Sequence, residues 1–203
     1  VNAVILTGST KTAQLFQQLR PDLRLLAETG GKNATIITAM SDPDLAIKNA
    51  IDSAFGHAGQ KCSATSLLIC EAEVFDSPSF RRRLRDAAKS LDVGSAWDPS
   101  SVVTPLIAPP REPLLSGLTT LDDGEEWLLQ PRPDPDNPRL WSPGIRWGTQ
   151  PGAWAHRTEF FGPVLSVMRA RDLEHAIELA NASDYGLTSG LQSLDLREHE
   201  TWL

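Results

Sequence analysis

Apolar positions along the chain fall into two rhythms, short continuous runs of strand length and longer stretches in which they return every three or four residues. Val1 to Thr7 reads as a buried strand, Gly8-Ser9 as a tight turn and Thr10 to Leu19 as a helix with Leu15, Phe16 and Leu19 on one face. Leu25-Leu26-Ala27 and Ala34-Thr35-Ile36-Ile37 read as short strands on either side of Gly30-Gly31. Ser41-Asp42-Pro43 then supplies an N-cap and a proline at a helix start, and Ile47, Ala50, Ile51, Ala54 and Phe55 keep helical spacing as far as Gly56 or Gly59. A strand over Ser66 to Cys70 precedes a helix from Phe80 to Leu91, whose inner face is Phe80, Leu84, Ala87, Ala88 and Leu91.

The texture changes between Pro99 and Pro151, which holds eleven of the fifteen prolines and so permits only short regular elements. Trp127-Leu128-Leu129 and Leu140-Trp141 are its best strands, and Asp134-Pro135-Asp136-Asn137-Pro138 is a turn. Trp127, Trp141, Trp147 and Trp154 favour a packed insertion over a solvated tether, because disordered linkers are poor in aromatics. Regularity returns with a strand over Pro163 to Met168, a helix presenting Leu173, Ala176, Ile177 and Ala180, and a strand over Gly186 to Leu191. Alternating strands and helices predict an α/β fold around a parallel sheet. Arg197-Glu198-His199-Glu200 starts a further helix, and Val1 opens directly into an apolar run, so both ends read as those of a piece of something longer.

At 203 residues the chain is long enough to bury a sizeable core. A net charge of −7 with 22% charged and 40% hydrophobic residues is that of an acidic soluble protein, which argues against a nucleic-acid partner. No membrane span or signal peptide is visible. Cys62 and Cys70 form no CxxC and cannot frame a disulfide scaffold, so no metal site is expected and a reducing, cytoplasmic setting fits.

Cys62 stands at an element end, in Gly59-Gln60-Lys61-Cys62-Ser63-Ala64. An unperturbed thiol is only about 3% ionised near neutrality, so a catalytic cysteine needs positive charge or backbone donors beside it. Most lone cysteines are small buried hydrophobes, the reading kept for Cys70 inside its apolar strand. Glu28 closes an apolar strand before Thr29-Gly30-Gly31-Lys32-Asn33, where a carboxylate is either exposed or partly desolvated; Lys32 and Asn33 taken singly are turn residues. Gly8-Ser9, between strand and helix, is a weak phosphate-site signal. In Glu159-Phe160-Phe161-Gly162-Pro163-Val164 the acid precedes a Gly-Pro turn, where a carboxylate could hold a ribose diol while an aromatic ring packs on a flat cofactor. A nucleophilic thiol with a water-activating carboxylate makes and then hydrolyses a thioester, which points to aldehyde oxidation.

Together, Thr7-Gly8-Ser9-Thr10, the Glu28 to Asn33 segment, Gly59-Gln60-Lys61-Cys62 and Glu159 to Val164 resemble the NAD(P)-dependent aldehyde dehydrogenase superfamily, with Cys62 standing 34 positions after Glu28 and 97 before Glu159. Leu140 to Ile145, Trp147-Gly148 and Gly186 to Asp195 resemble its 1-pyrroline-5-carboxylate dehydrogenase branch, which oxidises L-glutamate γ-semialdehyde, and most closely the dehydrogenase half of bifunctional proline-utilisation proteins. The resemblance implies Cys62 as nucleophile, Glu28 as the base that activates water, and NAD as cofactor, with Gly8 and Ser9 at its pyrophosphate, Glu159 at the nicotinamide ribose and Phe161 at the nicotinamide. It implies residues 1–30 as the end of a Rossmann-like cofactor domain and 31–203 as the thiol-bearing catalytic domain, with the proline-rich insertion at 99–151. It also implies a homo-oligomeric parent, fused in some relatives to a proline dehydrogenase domain, and proline catabolism as the setting. The family's oxyanion-hole asparagine and most of its cofactor domain would precede Val1, and its substrate-anchoring loop would follow Leu203. Another small aldehyde as substrate, or a catalytically silent α/β module, are the alternatives.

Overall fold

The computed structural model describes residues 1–203. The chain opens with β1 (Ala3–Thr7), α1 (Thr10–Leu19) and β2 (Arg24–Glu28), a strand–helix–strand unit whose strands pair in parallel from Ala3 opposite Arg24 to Thr7 opposite Glu28. Ser9 caps α1, its Oγ accepting from the Thr12 amide at 3.2 Å. A second sheet begins with β3 (Ala34–Ile37) and continues through α2 (Pro43–Phe55), β4 (Leu67–Glu71), α3 (Ala72–Phe75), α4 (Pro78–Lys89), α5 (Leu114–Thr119), β5 (Glu126–Leu129) and β6 (Gly144–Trp147). It is completed by α6 (Trp154–Arg157), β7 (Val164–Ala170), α7 (Leu173–Asn181), β8 (Ser189–Gln192) and α8 (Leu196–Trp202). Its strand order is β5-β6-β7-β4-β3-β8. Every neighbouring pair in it is parallel except β5 with β6, so the expected parallel sheet carries one antiparallel edge.

The central strands are apolar on both faces because helices cover both. One face packs against α2, α4 and the proline-rich segment, burying Ile47, Ile51, Phe55, Leu84, Leu106, Leu118 and Trp147; the other packs against α7 through Ile36, Leu67, Ile69, Met168 and Leu179. Asp42 caps α2 with its carboxylate accepting from the Asp44 and Leu45 amides, and Pro43 occupies the first turn, where its missing amide hydrogen costs nothing. Phe80, Leu84 and Ala88 of α4 are fully buried, while Ala87 and Leu91 are only partly so.

Several expectations need correction. β1 forms but is not buried: Ile5 is 83% exposed, and Leu15 and Leu19 of α1 are 52% and 70% exposed, because within these 203 residues no element outside the unit packs extensively against it. Leu140-Trp141 makes only a single bridge, Trp141 to Pro133, since Pro138 and Pro143 bracket it; the strand runs instead through Gly144–Trp147. The last strand starts at Ser189, later than its apolar run suggests. Residues 99–151 are packed, with Leu106, Leu118, Ile145 and Trp147 in the core and Trp147 stacked on Phe75 at 4.3 Å. No helix is long and apolar enough to cross a membrane.

Candidate active site

Four segments distant in sequence meet where the two sheets adjoin. A cleft of about 320 Å³ is lined by Thr7, Gly8, Ser9, Glu28, Thr29, Gly30, Cys62, Glu159 and Phe161. All six residues singled out from the sequence, Gly8, Ser9, Glu28, Cys62, Glu159 and Phe161, therefore face one space. β1 and β2 deliver their C-terminal ends to it, and the Gly8 amide donates to the Glu28 carbonyl at 3.0 Å, which ties the turn before α1 to the end of β2. Glu28 is exposed, which settles the alternative of partial burial left open by its sequence context. The Ser9 hydroxyl lies 3.0 Å from Thr12 Oγ1 while capping α1, a helix of 10 residues whose N-terminus opens on the cleft.

Cys62 sits in the turn that follows α2. Beyond Phe55 the backbone enters the left-handed region at His57, Ala58 and Gly59, which ends the helix sharply. Glycine is required at position 59, where φ is +67° and a Cβ would lie 2.2 Å from the Gly162 carbonyl oxygen. Asn33 fixes the far side of the turn: its Nδ2 donates to the Cys62 carbonyl at 2.6 Å and to the Ala64 carbonyl at 3.0 Å, and its Oδ1 accepts from the Thr188 amide at 3.2 Å. Gln60 fixes the near side, donating from Nε2 to the Phe161 carbonyl at 3.1 Å and accepting at Oε1 from the Ile107 amide at 2.9 Å. Cys62 is exposed and Cys70 is buried, the latter with burial pushing its thiol far above the ordinary range. The two cysteines thus stand in opposite environments.

On the other wall, Gly31 donates its amide hydrogen to Glu159 Oε1 at 2.9 Å. The carboxylate lies flat on Gly30, where a Cβ would come within 2.1 Å of Oε2, so this glycine is dictated by close approach and not by a turn. Phe161 has φ of +54° and is 42% exposed to the cleft, while its neighbour Phe160 is buried; a non-glycine residue held in the left-handed region stores about 1–2 kcal/mol of strain. The turn residues Lys32 and Asn33 are both buried, contrary to the expectation for them taken singly. The bracing roles of Asn33 and Gln60 leave no local signal in the sequence, since these partners lie 29 to 155 positions away.

Comparison with known proteins gives this geometry its relatives. The aldehyde dehydrogenase family model matches residues 1–203. The chain is 32% identical over 169 residues to 1-pyrroline-5-carboxylate dehydrogenase of Bacillus subtilis, covering 83% of this chain and 32% of that protein. It is 30% identical over 200 residues to lactaldehyde dehydrogenase of Methanococcus vannielii, covering 98% and 42%. Among solved structures, Proline Utilization A from Corynebacterium freiburgense superposes with a TM-score of 0.95 at 50% identity, over all of this chain and 21% of that one. Betaine aldehyde dehydrogenase from Staphylococcus aureus, solved in complex with NAD+, superposes at 0.90 with 27% identity over all of this chain and 41% of that one. The chain thus spans about a third of the length of its first curated relatives. With a family match over its whole length and a fold shared with these enzymes, the chain belongs to the aldehyde dehydrogenase family.

Proposed function

We propose that this chain carries the thiol and the base of an NAD-dependent aldehyde dehydrogenase that oxidises L-glutamate γ-semialdehyde to L-glutamate. The observation that carries the reading is the single cleft joining Cys62, Glu28, Gly8, Ser9, Glu159 and Phe161 from four separate segments. In this reading residues 1–30 end the cofactor domain and residues 31–203 form the catalytic domain with its insertion at 99–151. The residues present fit a dinucleotide: the Gly31 amide holds the Glu159 carboxylate at the cleft wall, Phe161 offers an exposed ring, and α1 presents its N-terminus.

When bound, NAD+ would supply the acceptor for the hydride that leaves the carbon bonded to Cys62 Sγ. Cys62 Sγ attacks the aldehyde carbonyl to give a thiohemiacetal, with the Cys62 amide as one donor to the developing oxyanion, a contact worth about 3 kcal/mol in a transition state. After oxidation to the thioester, Glu28 takes a proton from water as its oxygen attacks the thioester carbon, which releases the Cys62 thiolate and the carboxylic acid, and the acid then ionises to carboxylate by losing its proton to solvent. Glu159 would hold the ribose hydroxyls, and Phe161 would pack beside the nicotinamide.

The choice of substrate is supported by the 32% identity to 1-pyrroline-5-carboxylate dehydrogenases and the 50% identity to Proline Utilization A. A second reading, another small aldehyde, is supported by similar identity to lactaldehyde and malonate-semialdehyde dehydrogenases, at 30% and 31%. Iodoacetamide labelling read by peptide mass spectrometry tests the thiol: Cys62 labels at least about tenfold faster than Cys70 near neutral pH, and Cys62→Ser removes that label. Equal rates would mean a silent module. NADH formation compared across L-glutamate γ-semialdehyde, malonate semialdehyde and lactaldehyde tests the substrate, and preference for one lacking the α-amino acid group would overturn the choice.

A further inference from the structure

The most unusual group in the molecule is the Lys32 amine. It belongs to a residue only 2% exposed, and its Nζ has no hydrogen-bond partner. It lies 4.4 Å from the centroid of the Phe160 ring. That ring is held on every side: Trp154 is tilted against it at 4.9 Å, the Arg146 guanidinium stands at 5.7 Å, and Gly117 leaves room where a Cβ would approach it within 2.9 Å. Phe160 in turn joins the two cleft residues Glu159 and Phe161. Lys32 also follows the Gly31 amide that holds the Glu159 carboxylate, so it touches the cleft wall through both the backbone and a ring.

The charges facing Lys32 come from every element packed around it. Arg146 of β6 opposes its ammonium, whereas Glu159 of the cleft wall and Glu125 and Asp122 of the segment before β5 favour it; His156 of α6 feels its charge as well. Burial, followed by Arg146, brings the amine down to about 7. Burial and Arg146 thus weaken the hold of this amine on its proton.

We propose that Lys32 is a positioning residue whose ammonium pins the Phe160 ring, and through it Glu159 and Phe161, in the arrangement that receives the nicotinamide ribose, and that losing its proton loosens this hold. The inference rests on the NAD reading above. Loss of a cation from over a desolvated ring therefore weakens cofactor binding about two- to thirtyfold.

Two measurements test it, the first without cofactor. The chain has five lysines, so a protein labelled with carbon-13 at lysine Cε gives five titration curves, and Lys32→Arg identifies the one from Lys32. The Lys32 midpoint falls near 7 and drops further in Glu159→Gln, which removes a favourable negative neighbour. A midpoint in the ordinary lysine range, or one unmoved by Glu159→Gln, overturns the proposal. The second is calorimetric titration with NAD+ near pH 6 and near pH 8.5. Wild type binds more tightly at the lower pH, Lys32→Arg binds equally well at both, and Lys32→Met binds weakly at both; if Lys32→Met fails to fold, Lys32→Gln serves. Equal affinity of wild type and the neutral variant overturns the proposal. Wild-type protein that binds no NAD+ at all instead removes the cofactor reading, and the carbon titration still decides whether Lys32 and Glu159 are coupled.

Discussion

Gly30 shows how much of the cleft depends on the absence of one carbon atom. The Glu159 carboxylate occupies the volume a Cβ would need, and the same carboxylate accepts the Gly31 hydrogen bond. Gly30→Ala therefore pushes Glu159 off the turn and breaks a partly buried bond to a charged acceptor, a loss of about 1–3 kcal/mol. Urea denaturation should show that loss, while Gly8→Ala, whose Cβ would meet only Leu6 Cδ1 at an ordinary 3.5 Å, should remain within about 1 kcal/mol of wild type. Equal costs at the two glycines would show that backbone freedom, and not the carboxylate, selects Gly30. The distinction was invisible in the sequence, where Gly8 and Gly30 are each a glycine after an apolar strand. Residue types with a chemical signature, Cys62 and Glu28, were legible; what surrounds Lys32 was not, because Phe160 and Arg146 reach it from 128 and 114 positions away.

Elements that advertise themselves locally are the ones the pattern located. α2, α4 and α7 each have an apolar face and a side-chain N-cap from Asp42, Ser77 and Asp172, so period and cap agree. β6 breaks that rule, since its Gly-Ile-Arg-Trp sequence places a fully buried arginine inside a strand covered on both faces. Only tertiary structure explains it: Arg146 donates to the carbonyls of Gly117 and Thr120 and pairs with Glu125, which also accepts from Thr149. Arg146 thereby ties α5 and the segment before β5 to the sheet, next to the Phe160 ring. Removing one member of such a pair strands the other charge out of water, at a cost of about 3–5 kcal/mol, whereas replacing both with apolar groups relieves much of it. Arg146→Met should thus lower stability by that amount, and Arg146→Met with Glu125→Leu should recover at least about 1 kcal/mol in thermal or urea unfolding. A double variant as unstable as the sum of its singles would show that the backbone carbonyls, and not Glu125, need the guanidinium.

At the scale of the whole molecule the burial is lopsided. The six-stranded sheet has helices on both faces and supplies nearly all of the core, including β4, in which Leu67, Leu68, Ile69 and Cys70 are wholly inaccessible. The β1–α1–β2 unit contributes one buried residue, Ala13, and leaves Ile5, Leu15, Leu19 and Leu26 half or more exposed. Yet the cleft needs both parts, since Gly8, Ser9 and Glu28 come from the poorly buried unit and Cys62, Glu159 and Phe161 from the well-buried one. Sequence periodicity could not reveal this asymmetry: an apolar run predicts a face that wants burial, not a neighbour that provides it. Local opening free energy follows buried apolar contact, so the two parts should exchange amide hydrogens in different regimes. In hydrogen–deuterium exchange, amides of β3, β4 and β7 should open only with global unfolding, while those of β1 and β2 should exchange at least about a hundredfold faster, a difference of roughly 3 kcal/mol. If the cleft forms as described, NAD+ should slow exchange in β1 and β2 most, because a ligand spanning both parts lends the weaker one the stability of the stronger. Uniform protection without ligand would show instead that the backbone bonds between β1 and β2, with the Gly8 to Glu28 tie, hold the unit without a core of its own.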